Sequence, residues 1–564
     1  MGTSAESQQT HILAAKPDGA RLATESPAPV WEDISSRKRA LLSASIPEEW
    51  RVPADLLPPA SQDDVTSWPS ASGWFTPDEL SITEQTATEL VVGLASGALT
   101  CEAVTRAFCK RAAAAHQLKV QVNCLSETCF ERALATARSR DAHLARTGRP
   151  VGPLHGLPVS LKDNFQLAGL DSTVGFASHV GDAAAADSTL ARVLEAAGAV
   201  FYVKTNVPTA MMMAETVNNV FGRTLNPRNR RTTSGGSSGG ESALLLLRGS
   251  PLGVGTDIGG SLRIPAACTG LFTLRPSAGR FPVRDCRSGM PGQEGVLSVN
   301  GPMARTLPDI TLYSRVVVSS RPWLLDAKCL PLPWQHPPPA LPAKLRVGVM
   351  WDDTLVLPTP PVTRALHQTV ARLRGAGHEV VGWRPTDMLR GLTMIGQFFV
   401  ADGAAAIRQQ LTQTGEPWRP EMAAYRDARP MTVLDVWRLQ TERTAFQNEN
   451  LDSWREAGLD ALLLPTTPYV THRHSGTRHV AYTAVFNILD VSAVSFPTRL
   501  TVDRSVDVVG QDYEPLSDTC EAINAEYDPE LLDGMPISLQ LVAGKLEEEK
   551  LLGMTEMVLQ ALAE

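Results

Sequence analysis

Two glycine–serine clusters, Gly235-Gly236-Ser237-Ser238-Gly239-Gly240 and Gly259-Gly260-Ser261, begin 24 residues apart in this 564-residue chain. Serine hydroxyls set among glycines suit attack on a carbonyl, because a backbone without side chains lets a substrate approach the main-chain N–H groups. Such an attack needs an activated nucleophile and donors for the oxyanion that forms. The backbone amides of Ile258, Gly259, Gly260 and Ser261 can supply such donors, each typically worth about 3 kcal/mol. Asp257 and Arg263 flank this stretch. They read as a structural ion pair, since arginine cannot serve as a base.

Other readings of the glycines fare worse. A Gly/Ser run is often a flexible linker. Here the apolar helix-like run "ESALLLL" follows the first cluster, and Val254, Thr256, Asp257 and Ile258 interleave the glycines before the second. Gly235–Gly239 also fits G-x-S-x-G, but that elbow requires a preceding strand, and "NPRNRRTTS" reads as a polar, turn-prone run. Neither GxxxxGK[ST] nor GxGxxG is present. His472, His474 and His479 lie close in sequence without an HExxH or paired cysteines, so they read as a surface loop or pocket rim, and no metal is expected.

The elements that must carry these residues alternate. Residues 1–80 read as an N-terminal arm, partly helical around Ile34–Leu42. Helices are expected over Thr83–Ser96, Thr100–His116 and Glu127–Arg146, the last with a buried stripe of Phe130, Leu134, Ala137 and Leu144 and a stop at Gly148. "GLPVSLKD" (Gly156–Asp163) reads as a buried strand ending at Lys162. "DSTLARVLEAAG" is a capped amphipathic helix, and "AVFYVKTN" is the next strand. Further strands are expected at Leu345–Asp353, His378–Pro385 and Leu459–Pro468, with a helix at Val362–Arg374. This order predicts an α/β architecture. The Pro-rich Pro331–Lys344 is a surface connection that could separate two domains or be an insertion in one large sheet, the reading favoured here.

Composition narrows the function. The net charge of −8 leaves no basic footprint for nucleic acid. The eight cysteines form no CxxC pair and read as free thiols. The longest aliphatic run, Leu244–Leu247, is far too short to span a membrane, and no export or lipidation signal is legible, so a cytoplasmic location is expected.

The serine–glycine stretch resembles the signature of the amidase signature family, which includes bacterial amidases, fatty acid amide hydrolase and fungal acetamidases. The matching frame is Gly235 to Gly240, then Gly253, Gly255, Asp257, Gly259, Ser261, Arg263 and Pro265. Leu246 departs from it, standing where a small residue is usual. "GLPVSLKDNF", "NVPTAMMMAETVNNVFGRTLNP" and "MPISLQLVAGKLEEEKLL" extend the resemblance over residues 80–564. It implies an α/β/α sandwich around a large mixed sheet, with residues 81–564 as the amidase domain.

It further implies a Ser–Ser–Lys triad: Lys162 the base, Ser237 the bridging serine after a cis Gly236–Ser237 bond, and Ser261 the nucleophile. Burial would lower the lysine pKa and leave the amine neutral. By family position, Met211, Met212 and Met213 line an acyl pocket. The implied substrate is a small-molecule amide, cleaved through an acyl-enzyme without metal or cofactor. Acyl transfer in biosynthesis, an amidase subunit of a tRNA-dependent amidotransferase and an inactive scaffold are the rival roles. Acyl length and oligomeric state, a homodimer included, stay open.

Overall fold

Pro158–Lys162, Leu252–Asp257 and Ala461–Pro465 are buried at every position. Strands covered on both faces read as continuous runs rather than alternating ones. A computed structural model describes residues 30–118 and 122–563. It joins these runs into one mixed eleven-stranded sheet with helices on its faces. In chain order the strands are β1 (Leu125–Thr128), β2 (Pro158–Lys162), β3 (Val200–Thr205), β4 (Leu252–Asp257), β5 (Phe272–Arg275), β6 (Val299–Ala304), β7 (Arg346–Val349), β8 (Glu379–Gly382), β9 (Ala461–Pro465), β10 (Ala493–Thr501) and β11 (Pro536–Val542). Their order across the sheet is β1-β3-β2-β4-β6-β5-β10-β11-β9-β7-β8.

The strands on either side of the Pro-rich Pro331–Lys344 belong to this one sheet, as expected, because β5 pairs with β10. β2 runs parallel to β3 and to β4, with Ser160 opposite Gly253 and Leu161 opposite Val254. The carboxyl ends of β2 and β4 therefore emerge side by side. In open α/β sheets, ligands bind outside such ends.

Several boundaries differ from the sequence reading. The helix expected over Thr83–Ser96 is two helices, Pro77–Glu84 and Ala87–Ser96. Thr86 starts the second with a capping box to Glu89, a T-x-x-E signature inside the run. The stretch from Glu127 begins as β1, and the helix is Phe130–Thr147, stopped by left-handed Gly148. Its buried side chains are Phe130, Ala133 and Ala137, while Leu134 and Leu144 are only half-buried. Ser188 precedes the Thr189–Ala196 helix without a side-chain capping bond. No helix among the described residues is long and apolar enough to cross a membrane.

Of the N-terminal arm, residues 1–29 lie outside the described residues. The Trp31–Ala44 helix packs Ile34 and Leu42 against Val220 and Phe221. Its Lys38 is buried between Glu127 and Asp171, with Nζ 2.7 Å from the Asp171 carboxylate. Burial pulls the Lys38 pKa down, but the two carboxylates outweigh it and hold the amine above its ordinary value. Lys38→Ala leaves two buried carboxylates without their cation, a loss of about 3–5 kcal/mol. A clearly lowered thermal unfolding midpoint is expected, and an unchanged one contradicts this role for the arm.

Candidate active site

Lys162 closes β2, and its side chain is fully buried. Its Nζ lies 2.7 Å from Ser237 Oγ and 2.7 Å from Thr256 Oγ1. Among the described residues it makes no ion pair. Burial draws the amine down to about 7, against the more distant charges of Asp257, Glu241 and Asp163. Glu241 is also fully buried, and burial pushes its carboxyl up to about 7 even though Ser160 and Thr205 hydroxyls donate to it.

Ser237 follows a cis Gly236–Ser237 peptide. Its cluster opens the buried Gly239–Leu246 helix, and Leu246 is half-buried at the far end. The "NPRNRRTTS" run is not simply a turn, because Asn229–Thr233 forms a short strand paired with Leu225–Asn226. That ribbon lies outside the main sheet, so it does not supply the central strand of a nucleophile elbow. Ser238 ties the two clusters together: its N–H donates to the Ser261 carbonyl at 3.2 Å, and its Oγ accepts from Thr256 N–H at 3.3 Å.

Ser261 stands four residues past the end of β4. Among the described residues its hydroxyl has no protein hydrogen-bond partner. It opens onto a cavity of about 530 Å³, whose wall includes Met211, Met212, Met213, Ile258 and Phe399. A smaller cavity of about 70 Å³ brings Ser261 together with Ser237 and Thr256. Met211 and Met212 line both cavities and Met213 the larger one, while Lys162 lies behind the smaller one, in contact with Ser237 and Thr256.

The turn between Asp257 and Ser261 is held from beneath. Asp257 accepts from Gly260 N–H at 2.9 Å and Leu262 N–H at 3.2 Å. Gly260 is therefore not free to donate to a ligand, whereas the amides of Ile258, Gly259 and Ser261 have no protein acceptor among the described residues. Arg263 pairs with Asp257 at 3.1 Å, both fully buried. Burial alone would raise the Asp257 pKa, but the guanidinium holds it well below the usual carboxylate range.

Sequence reasoning missed the residues that brace this pair. Asn487 donates to Asp257 at 2.8 Å and accepts from Arg263 at 2.6 Å, and Gln540 accepts from Arg263 at 3.2 Å. Thr483 donates to the Gly259 carbonyl at 2.8 Å. Thr483 and Asn487 both sit on the Ala481–Leu489 helix, more than 200 residues from the turn, and no local signal links them to it. Thr256 was closer to legible, since it stands between the matched Gly255 and Asp257.

The three histidines do not converge. His479 pairs with buried Asp353, His474 bridges Glu215 and the Arg230 carbonyl, and His472 contacts the Arg473 carbonyl. Among the described residues no group of three or more His, Cys, Asp or Glu is placed to hold a metal ion.

The chain is similar to several known proteins. A family model described as Amidase matches residues 103–552. Acetamidase of Emericella nidulans is 40% identical over 542 residues, covering 94% of this chain and 97% of that protein. Acetamidase of Aspergillus oryzae is also 40% identical, covering 94% and 99%. A solved structure of fatty acid amide hydrolase superposes with a TM-score of 0.90 at 32% identity, covering 95% of each chain.

The turn itself makes a testable contrast. Gly260 has φ +127°, and a Cβ there would lie 2.3 Å from Thr483 Oγ1. At Gly259 the nearest atom to a Cβ is Phe399 Cζ, at 3.5 Å. Gly260→Ala should cost about 1–3 kcal/mol and lower the unfolding midpoint, while Gly259→Ala should leave it nearly unchanged. Equal tolerance at both positions contradicts the packing described.

Proposed function

The chain belongs to the amidase family, the amidase signature enzymes, and from that premise we propose that it hydrolyses a carboxylic amide through Lys162, Ser237 and Ser261. The observation that carries this reading is a lysine amine buried without an ion pair among the described residues, in contact with a serine hydroxyl.

A neutral amine has two N–H donors and one lone pair. Lys162 donates to Thr256 Oγ1, which directs the lone pair toward the Ser237 hydroxyl. Ser237 can donate and accept at once. As Ser261 Oγ bonds to the amide carbon, its proton passes to Ser237, and the Ser237 proton passes to Lys162. The carbonyl oxygen gains the negative charge, which the free amides of Ile258, Gly259 and Ser261 stabilise. The lysine proton then returns through Ser237 to the leaving nitrogen, the C–N bond breaks, and the acyl ester stays on Ser261. Water attacks that ester by the same relay and releases the carboxylate. Asp257 and Arg263 hold the turn and take no part in proton transfer.

The sign of the pH dependence follows from the base. Protonated Lys162 cannot accept a proton, so kcat/KM should fall about tenfold per pH unit below about 7 and level off above it. A fluorophosphonate probe should label Ser261 with the same profile, and Ser261→Ala should abolish labelling and cut turnover by roughly 10⁵-fold or more. Labelling retained in that variant refutes the assignment.

The acyl group lies against Met211, Met212, Met213 and Phe399, in a cavity of about 530 Å³ that acetamide would leave mostly empty. Each methylene buried there is worth about 0.8 kcal/mol. Across primary amides of increasing acyl length, kcat/KM should rise about fourfold per methylene until the cavity fills. Acetamide as the best substrate contradicts this use of the cavity.

A further inference from the structure

Three buried carboxyls bear on the charge of Lys162, and they are not held alike. Asp257 lies against Arg263 and two N–H groups, and Asp163 accepts from Val174 N–H at 2.7 Å. Glu241 is fully buried, and among the described residues no cation and no N–H group meets it. It stands in the first turn of the Gly239–Leu246 helix, yet its oxygens bond only hydroxyls.

Those hydroxyls form a chain. Glu241 Oε1 lies 2.8 Å from Thr205 Oγ1, and Oε2 lies 2.6 Å from Ser160 Oγ. Ser160 Oγ lies 2.9 Å from Ser250 Oγ, which lies 2.9 Å from the Leu252 carbonyl oxygen. Each contact is of hydrogen-bond length and takes one proton between its two oxygens. Four contacts need four protons. Thr205, Ser160 and Ser250 supply one each. Tyr202, whose hydroxyl also neighbours Ser250, spends its proton on the Gly249 carbonyl at 2.5 Å. The fourth proton is left to Glu241.

As a carboxylate, Glu241 would accept from Ser160 and Thr205, and either the Ser160–Ser250 or the Ser250–Leu252 contact would set lone pair against lone pair. As an acid it donates through Oε2 to Ser160, Ser160 donates to Ser250, Ser250 donates to the Leu252 carbonyl, and Thr205 donates to Oε1. Every contact is then filled. Burying a carboxylate without a counter-charge is also the costlier state. Burial already raises this carboxyl to about 7, and a Ser160 hydroxyl turned toward Ser250 no longer donates to the anion.

The chain reaches the base. Ser160 and Lys162 stand two residues apart on β2, hence on one face. The titratable groups that face Glu241 are Lys162 on β2, Tyr202 on β3 and Cys124. Burial pushes the phenol and the thiol up and keeps both neutral, so Lys162 is the group whose charge an ionised Glu241 would favour. We propose that Glu241 is a positioning residue for the base, a carboxylic acid that keeps its proton and so presents no anion to hold Lys162 as an ammonium. Its role toward Lys162 rests on the amidase reading; the proton itself does not.

Infrared difference spectra of the full-length protein test it. At pH about 7.5, roughly three units above an ordinary glutamate, wild type minus Glu241→Gln should show the C=O stretch of a protonated carboxyl, shifted in D2O. Glutamine can still donate to Ser160 and accept from Thr205, so this variant should also keep the acid limb of kcat/KM in place. Ser250→Ala removes two contacts and one proton. The two remaining hydroxyls then suffice for the two remaining contacts, and the band should titrate away at lower pH than in the wild type. No such band at Glu241, a band that Ser250→Ala leaves unmoved, or an acid limb about one unit lower in Glu241→Gln overturns the proposal. Should the wild type hydrolyse no amide, the amidase reading falls and the infrared spectra still decide the proton.

Discussion

A lysine amine sealed among hydroxyls rather than carboxylates is the constraint on which the site depends. Contact with Asp257, Glu241 or Asp163 would fix Lys162 as an ammonium. The structure keeps those charges near enough to oppose the burial effect but gives the contact distances to Ser237 and Thr256. Desolvation wins, and the amine titrates near neutrality. That balance needs β2 and β4 to run parallel as neighbours, so that Lys162 and Thr256 meet where both strands end. It also needs the glycine-rich opening of the Gly239–Leu246 helix, where Ser237 meets the amine.

The buried cation of the neighbouring turn is handled in the opposite way. Arg263 is as deeply buried as Lys162, yet it lies against Asp257 and is further engaged by Asn487, Gln540 and the Thr483 carbonyl. A guanidinium cannot shed its proton, so burial demands full pairing. The paired arginine fixes the turn, whereas the Lys162 amine meets hydroxyls and makes no ion pair among the described residues. Asp257 pairs with Arg263 and takes the Gly260 and Leu262 amides, while the amides of Ile258, Gly259 and Ser261 have no protein acceptor among the described residues.

The site was more legible in the sequence than its supports. The glycine spacing, the strand ending at Lys162 and the methionine run are local patterns; the glycine turn and the methionines line the cavities at Ser261, and Lys162 contacts Ser237 behind them. Strand–helix alternation on both sides of Pro331–Lys344 gave the α/β class, while the single large sheet was implied by the family resemblance and a split into two domains at that connection had stayed open. Boundaries failed where short signals sat inside longer patterns. Thr86 with Glu89 split one expected helix, β1 took the start of another, and Asn229–Thr233 became a strand despite its polar side chains. Thr483, Asn487 and Gln540 could not have been found locally, because their partners lie more than 200 residues away and only the folded chain brings them together.

Neutron diffraction from deuterium-exchanged crystals at a pD about 1.5 units above neutrality tests the central claim most directly. The account predicts two deuterons on Lys162 Nζ, one directed at Thr256, and a deuteron on Ser237 Oγ pointing toward the nitrogen. Three deuterons on Nζ, with the Ser237 deuteron turned away, would contradict it.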